Sequence, residues 1–166
     1  LVRVDMGASV TVIGESAFAS CSSLESVEFP QSLRNIEQFA FQRTGLMDVV
    51  LPYGTSVIEF YAFAYCSQLQ SVTLPETLTK IGEYAFSETA LQQVKIPDCI
   101  LELGTAAFDT VKYVEYGDTM MMWCSDIWRS GDFVFAEEAT VKCSDGECYA
   151  DYTSHMTCTP LGIQEN

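Results

Sequence analysis

The chain is poor in the groups that most enzymes rely on. It has one histidine, His155, among 166 residues. Its sequence neighbour Ser154 is badly placed to act as a nucleophile activated by that imidazole, so His155 is read as a surface or packed side chain. There is no glycine-rich phosphate loop and no D-x-[DN]-x-[DN]-G calcium loop. Carboxylates are abundant, but no two of them stand out as an acid and base pair. Positive charge is also scarce. Eight Lys+Arg against 23 Asp+Glu give a net charge of −15, which repels nucleic acid and anionic membrane. The imbalance is denser late in the chain: residues 1–116 carry 14 acids and 6 bases, residues 117–166 carry 9 and 2. No apolar run approaches the roughly 18 residues of a membrane span. No catalytic residue, cofactor, metal, nucleic-acid partner or membrane insertion in this segment is therefore expected.

What is present is a folded composition, 48% apolar with 19% charged, long enough for one domain with a real core. It is organised by repetition. Ala-Phe recurs at Ala17-Phe18, Ala40-Phe41, Ala62-Phe63, Ala85-Phe86 and Ala107-Phe108, with gaps of 23, 22, 23 and 22 residues. A second landmark keeps step, ending at Pro30, Pro52, Pro75 and Pro97, and each Pro precedes the next Phe by 11 residues. A period near 22 is the signature of a stacked solenoid.

Each unit reads as a strand, a loop and a return. Val27 and Phe29 lie two apart and face one side of a strand, while Ser26 and Glu28 face the other. Proline ends that strand because it lacks the N–H that a central ladder needs. Ile13, Ile36, Ile58, Ile81 and Leu103 each precede the Phe by five residues and begin a short extended turn. The stretch through Ala-Phe is expected to be either a turn of helix or irregular coil. One repeat cannot hide its own apolar face; five stacked repeats bury a continuous core. In the longer units Cys21 or Cys66 stands near the return into the strand, and in the shorter units Thr44 or Thr89, so a small, weakly polar group is wanted there. Leu1, Val4 and Met6 fit the strand pattern and residue 1 falls inside a repeat, with no initiator Met or signal peptide. The expectation is a fragment or processed piece of something longer. The last unit is degenerate: Val111, Val114 and Tyr116 still fit, but the return after Phe108 is only three residues and Gly117 replaces Pro.

Seven cysteines fall into two groups. Cys21 and Cys66 sit two rungs apart, about 10 Å at the usual strand spacing, beyond the roughly 7 Å reach of a disulfide. Both are expected as buried thiols. Cys99 is either free or paired with the tail. Cys124, Cys143, Cys148 and Cys158 lie in the last 43 residues. Asp145-Gly146 reads as the tip of a hairpin, which would make Cys143 and Cys148 a cross-strand pair and leave Cys124 with Cys158 as its complement. Four cysteines allow three connectivities. Zinc is the rival, and the cysteine spacings fit it poorly. Met120-Met121-Met122-Trp123 and Trp128 are read as covering the final rung, and Phe133-Val134-Phe135 with Val141 as strands.

The pattern I-G-x-x-A-F-x-x-C-x-x-L-x-x-V-x-L-P, carried by Ile81-Gly82-Glu83-Tyr84-Ala85-Phe86 and by Phe63 through Pro75, resembles the BspA-like leucine-rich repeats over residues 1–116. The run from Thr140 to Gly146 looks like the strand-and-turn ending seen after such arrays. The resemblance implies a secreted or cell-surface microbial protein of adhesin or host-interaction type, and a family that is not enzymatic. It names no ligand. The fold expected is thus a leucine-rich-repeat solenoid of short parallel strands over residues 1–116, mostly β and irregular coil, with a small cysteine-containing β-type cap over 117–166.

Strand alternation turns one set of side chains outward: Arg3 and Asp5, Ser26 and Glu28, Asp48 and Val50, Ser71 and Thr73, Gln93 and Lys95, Tyr113 and Glu115. A parallel solenoid must leave some polar residues outward, so exposure alone proves nothing. The face is nonetheless the expected binding surface, since such arrays present a long surface to a partner and tyrosine is a common anchor of binding energy. The charges change sign along it, which disfavours a purely cationic or purely anionic ligand. The function expected is extracellular binding of a protein or glycan on this face, by a monomer or part of a longer chain. The alternatives are a structural spacer or stalk of a larger surface protein, and a cytoplasmic interaction scaffold, since the repeats need no disulfide.

Overall fold

The computed structural model describes residues 2–117, 135–136, 138–150 and 156–160. Within them the chain winds as a solenoid of parallel strands, with no helix among the described residues. Each turn contributes one longer and one two-residue strand. The longer strands are β1 (Arg3–Asp5), β3 (Ser26–Glu28), β5 (Asp48–Val50), β7 (Ser71–Thr73), β9 (Gln93–Ile96) and β11 (Tyr113–Tyr116). The two-residue strands are β2 (Val12–Ile13), β4 (Asn35–Ile36), β6 (Val57–Ile58), β8 (Lys80–Ile81) and β10 (Glu102–Leu103). The short set forms one five-stranded parallel sheet, with Ile13, Ile36, Ile58, Ile81 and Leu103 in register. The longer set pairs β1 with β3, β5 with β7, and β9 with β11, again parallel and without offset.

The Ala-Phe segment is neither helix nor irregular coil. It is a run of tight turns in which alternate N–H groups point in different directions. Ala40, Gln42 and Thr44 donate to carbonyls three residues back, while Phe39, Phe41 and Arg43 donate to Phe60, Ala62 and Ala64 of the next rung at 2.8–3.1 Å. The pattern repeats at Tyr61, Phe63 and Tyr65 against Glu83, Ala85 and Ser87. The turns therefore make a third ladder between rungs, satisfying backbone groups that would otherwise be buried unpaired. Its cost is a left-handed backbone two residues before and two after each core phenylalanine from Phe18 to Phe86, and two before Phe108. Ser16, Ser20, Phe39, Arg43, Tyr61, Tyr65, Tyr84, Glu88 and Ala106 all have φ between 51° and 61°. Each such residue costs about 1–2 kcal/mol, which the inter-rung hydrogen bonds and the buried phenylalanines must offset.

Those phenylalanines form the spine of the core. Phe18, Phe41, Phe63, Phe86 and Phe108 stack at 4.9–5.1 Å between centroids, with interplanar angles of 12° or less. The expected small polar groups are also accounted for. The buried Cys66 thiol donates to Phe41 O at 3.1 Å and lies 3.1 Å from the Thr44 hydroxyl, and Thr89 donates to Phe86 O at 2.9 Å. Burial pushes the Cys66 thiol up, against the opposing pull of its hydrogen bonds. Cys21, Cys66 and Cys99 are free thiols.

Stacking does not stop at residue 116. Phe135 bridges Phe108 in parallel and its ring lies 5.9 Å from that of Phe108, adding a sixth ring to the spine. Strand β12 (Thr140–Cys143) then pairs in parallel with β11, Val114 opposite Val141. Only after this rung does the direction reverse: β13 (Gly146–Ala150) and β14 (Met156–Pro160) add antiparallel. The cap is thus β-type, and its first strand belongs to the repeat stack.

The hairpin register differs from the one expected. The loop is Ser144-Asp145, so Cys143 stands opposite Gly146 and Cys148 opposite Val141. Cys143 and Cys148 share a buried face as diagonal neighbours. That relation is typically about 7–8 Å, too far for the expected bridge. On its other side Cys148 faces Cys158 of β14. Cys124, Met120 to Trp123, Trp128, Phe133, Val134 and His155 lie outside the described residues.

Candidate functional site: the strand-face groove

Period-two alternation puts all twelve outward residues where the sequence reading placed them. Arg3, Asp5, Ser26, Glu28, Asp48, Val50, Ser71, Thr73, Gln93, Lys95, Tyr113 and Glu115 are all exposed on the longer strands, and the residues between them pack on the core. They are not equivalent. Toward the amino end Arg3 spends its charge on an ion pair with Glu28, its diagonal neighbour across β1 and β3. Both side chains are well exposed, which makes the pair worth little.

Toward the carboxy end the face sinks into a groove of about 560 Å³. Ser71, Gln93, Lys95, Tyr113 and Glu115 line it from the repeats, and Thr140, Lys142 and Glu147 line it from β12 and β13. Arg3, Asp5, Ser26, Glu28, Asp48, Val50 and Thr73 share the face but not the groove. Strands β9, β11, β12 and β13, which line the groove beside β7, are neighbours in one continuous sheet. Its register sets two rows across the strands. One runs Lys95, Glu115, Lys142, Glu147, alternating in sign at each step. The other sets Gln93, Tyr113 and Thr140 side by side. Opposite charges directly across strands are mutually favourable, so the charged row is held in place without presenting a field of one sign. Tyr113 is 62% exposed: a large ring with a polar tip, between two hydrogen-bonding side chains, at the centre of a concave surface.

Thr140, Lys142 and Glu147 were assigned to the cap by sequence and so missed. A signal was available. Phe108 precedes Val114 by six residues, and Phe135 precedes Val141 by the same six. The shortened return that marked the last repeat as degenerate is therefore used twice.

Away from this face, Lys80 lies between Glu59 and Glu102 at 3.4 and 3.5 Å on the short-strand sheet. Partial burial alone would lower its pKa, but the two carboxylates outweigh that and raise it. This is a solvated triad that steadies three rungs. Among the described residues no group of three or more His, Cys, Asp or Glu is placed to hold a metal ion, and no helix is long and apolar enough to cross a membrane.

Comparison with known proteins places this geometry. Residues 1–115 match the BspA type leucine rich repeat region, in six copies. No curated protein matches the chain. Among solved structures, a leucine rich repeat protein of T. pallidum is 30% identical, with a TM-score of 0.56 over 72% of this chain and 61% of that one. A leucine rich cell surface protein from Faecalibacterium prausnitzii A2-165 is 24% identical, with a TM-score of 0.51 over 91% of this chain and 44% of that one. The chain thus spans less than two thirds of either structure.

Proposed function

Since the chain belongs to the BspA-type leucine-rich repeat family, a family of repeat modules suited to protein interaction, we propose that it is an extracellular binding module. In this reading it engages a protein or glycan ligand in the groove around Tyr113, in an adhesive or host-interaction role. The observation that carries the reading is the groove itself: about 560 Å³, centred on an exposed tyrosine and walled by both repeat and cap. A concave, mixed-charge surface on a rigid sheet favours a partner with hydrogen-bonding groups of both kinds. The cell-surface description of the F. prausnitzii structure supports the location.

The test is a screen of the purified protein against arrayed extracellular proteins and glycans, repeated with two variants. Tyr113→Ala is expected to weaken the ligand found by about 10- to 100-fold, the range of a buried aromatic anchor. Arg3→Glu, on the same face but outside the groove, is expected to change affinity less than about threefold, as a rim charge does. A ligand that ignores Tyr113→Ala, or that depends on Arg3 instead, sinks the groove assignment.

An oxidising compartment carries its own expectation. We propose a Cys148–Cys158 disulfide tying β13 to β14. The two are register partners in adjacent antiparallel strands. Non-reducing digestion of protein from its native source should yield a linked peptide pair containing both cysteines, with the buried Cys66 alkylated only after denaturation. Seven alkylated thiols would remove this support and favour a reducing compartment.

A further inference from the structure

Five aromatic side chains gather on the face built from turns, outside the core. Phe39, Phe60, Tyr61, Tyr65 and Tyr84 come from three successive rungs and form a connected cluster. Tyr61 stacks on Tyr84 at 4.8 Å and on Phe39 at 5.8 Å, and meets Phe60 edge-on at 4.3 Å. Tyr65 extends the stack at 6.3 Å from Tyr61. None of these five rings belongs to the core, which the phenylalanine spine fills together with buried Leu, Ile, Val and Ala side chains. Four of the five, Phe39, Tyr61, Tyr65 and Tyr84, occupy the left-handed turn positions, where a bulky side chain is unusual. The remaining positions of this kind carry Ser16, Ser20, Arg43, Glu88 and Ala106. The fold therefore accepts small or polar residues there, and these three rungs nonetheless place aromatic ones at four of their six such positions.

The surroundings are acidic. A recess of about 390 Å³ is lined by Asn35, Glu37, Gln38, Val57 and Glu59, residues next in sequence to Phe39 and Phe60. Of its two carboxylates Glu59 also pairs with Lys80, and Glu37 does not pair with a base among the described residues. Glu83 precedes Tyr84 and is exposed. The Tyr61 phenol is pushed up by burial first, then by Tyr65, Tyr84, Asp109 and Glu83, as expected where the local potential is negative. The cluster also shows what one of its rings accepts. The Arg43 guanidinium lies over Tyr65, 5.0 Å from the ring centroid, in the geometry of a cation–π contact.

We propose that this turn face is a second binding surface, opposite in chemistry to the strand-face groove, and that its partner is an arginine-rich cationic peptide segment. Guanidinium groups stack on aromatic faces and donate to carboxylates at once, and the cluster with its acidic recess offers both. A neutral sugar is the poorer match, because it would leave the exposed Glu83 carboxylate without a cationic partner.

The test uses fluorescein-labelled hepta-arginine and hepta-lysine, read by anisotropy at about 0.15 M salt, where weak long-range attraction is screened. The variant is Tyr61→Ser, Tyr65→Ser, Tyr84→Ser combined, which leaves the net charge untouched and installs a residue that Ser16 and Ser20 show the turns accept. Hepta-arginine is expected to bind the native protein more tightly than hepta-lysine. The triple variant should lose about tenfold or more of its hepta-arginine affinity and all of that preference. Tyr113→Ala should leave both unchanged, which separates this surface from the groove. Should the triple variant lack the native circular dichroism, Tyr65→Ser alone decides, with a loss of about threefold expected. Unchanged hepta-arginine affinity in the folded variant overturns the proposal. So does tyrosine-dependent binding of cellohexaose in place of hepta-arginine, which would make the cluster a glycan surface.

Discussion

Phe63→Ala is expected to destabilise the protein by about 3–5 kcal/mol, the usual range for removing a fully buried aromatic side chain. Phe63 is completely buried and stacked at 5.1 Å on both Phe41 and Phe86, so its loss leaves a void with a ring face on either side. The hole cannot close cheaply, because the backbone of the same segment is fixed by Phe63 N to Ala85 O and Phe41 N to Ala62 O, both 2.8 Å. Phe18→Ala should cost clearly less. That ring is only partly buried and has one stacking neighbour among the described phenylalanines. Urea unfolding of the two variants checks the difference, with the midpoint falling further for Phe63→Ala. Equal losses would mean that the spine is not the main source of cohesion. Repeat stability is a sum of rung and interface terms, so Phe63→Ala is also expected to broaden the transition by uncoupling the halves on either side.

Gly104→Ala is expected to cost about 2–3 kcal/mol, whereas the same change at Gly14 should be nearly neutral. Both glycines follow the short strand in the repeat motif. At Gly104 an added Cβ would come within 2.3 Å of Glu83 N and 2.6 Å of Glu83 Cα and Gly82 C. All three are backbone atoms, and they move only if the β8–β10 pairing opens. At Gly14 the nearest such atom is a carboxylate oxygen of Glu37 at 3.8 Å, an ordinary contact at the end of a flexible side chain. Overpacking a close approach of this kind typically costs about 1–3 kcal/mol. Thermal unfolding of the pair of variants decides it, and equal melting temperatures would argue that the rungs re-space freely.

The phenylalanine spine and the glycine contacts also bear on what the sequence discloses. The Phe spacing and the period-two strands were legible because each has a simple cause: one ring per rung, and alternate sides of a pleat. The turns were not legible. Their left-handed positions carry Ser16, Phe39, Tyr61, Tyr84 and Ala106, a set with no shared side-chain property. Their conformation is imposed by the inter-rung hydrogen bonds rather than by glycine or asparagine. Glycine itself is an ambiguous letter here, since Gly14 and Gly104 sit in the same motif with different neighbours. The cap misled for a further reason. Asp145-Gly146 has the composition of a hairpin tip, but Val141 must sit beside Val114 to continue the buried row. That tertiary demand is met with Ser144-Asp145 as the loop, and the cysteine partners change with it. The groove was half legible: its repeat wall came from alternation, and its cap wall needed the unbroken β11–β12 pairing.

The alternating N–H pattern of the turns also bears on how the molecule responds to being pulled. Every boundary between rungs is closed by short ladders lying along the stacking axis, and no helix bridges several boundaries among the described residues. Tension applied through the chain ends therefore strips one coil at a time. Each coil between Phe18 and Phe108 holds 22 or 23 residues and releases about 75–80 Å of extended chain, so this part of the module lengthens in near-equal steps. A tether built this way yields gradually under load while the rungs still stacked keep their surfaces intact.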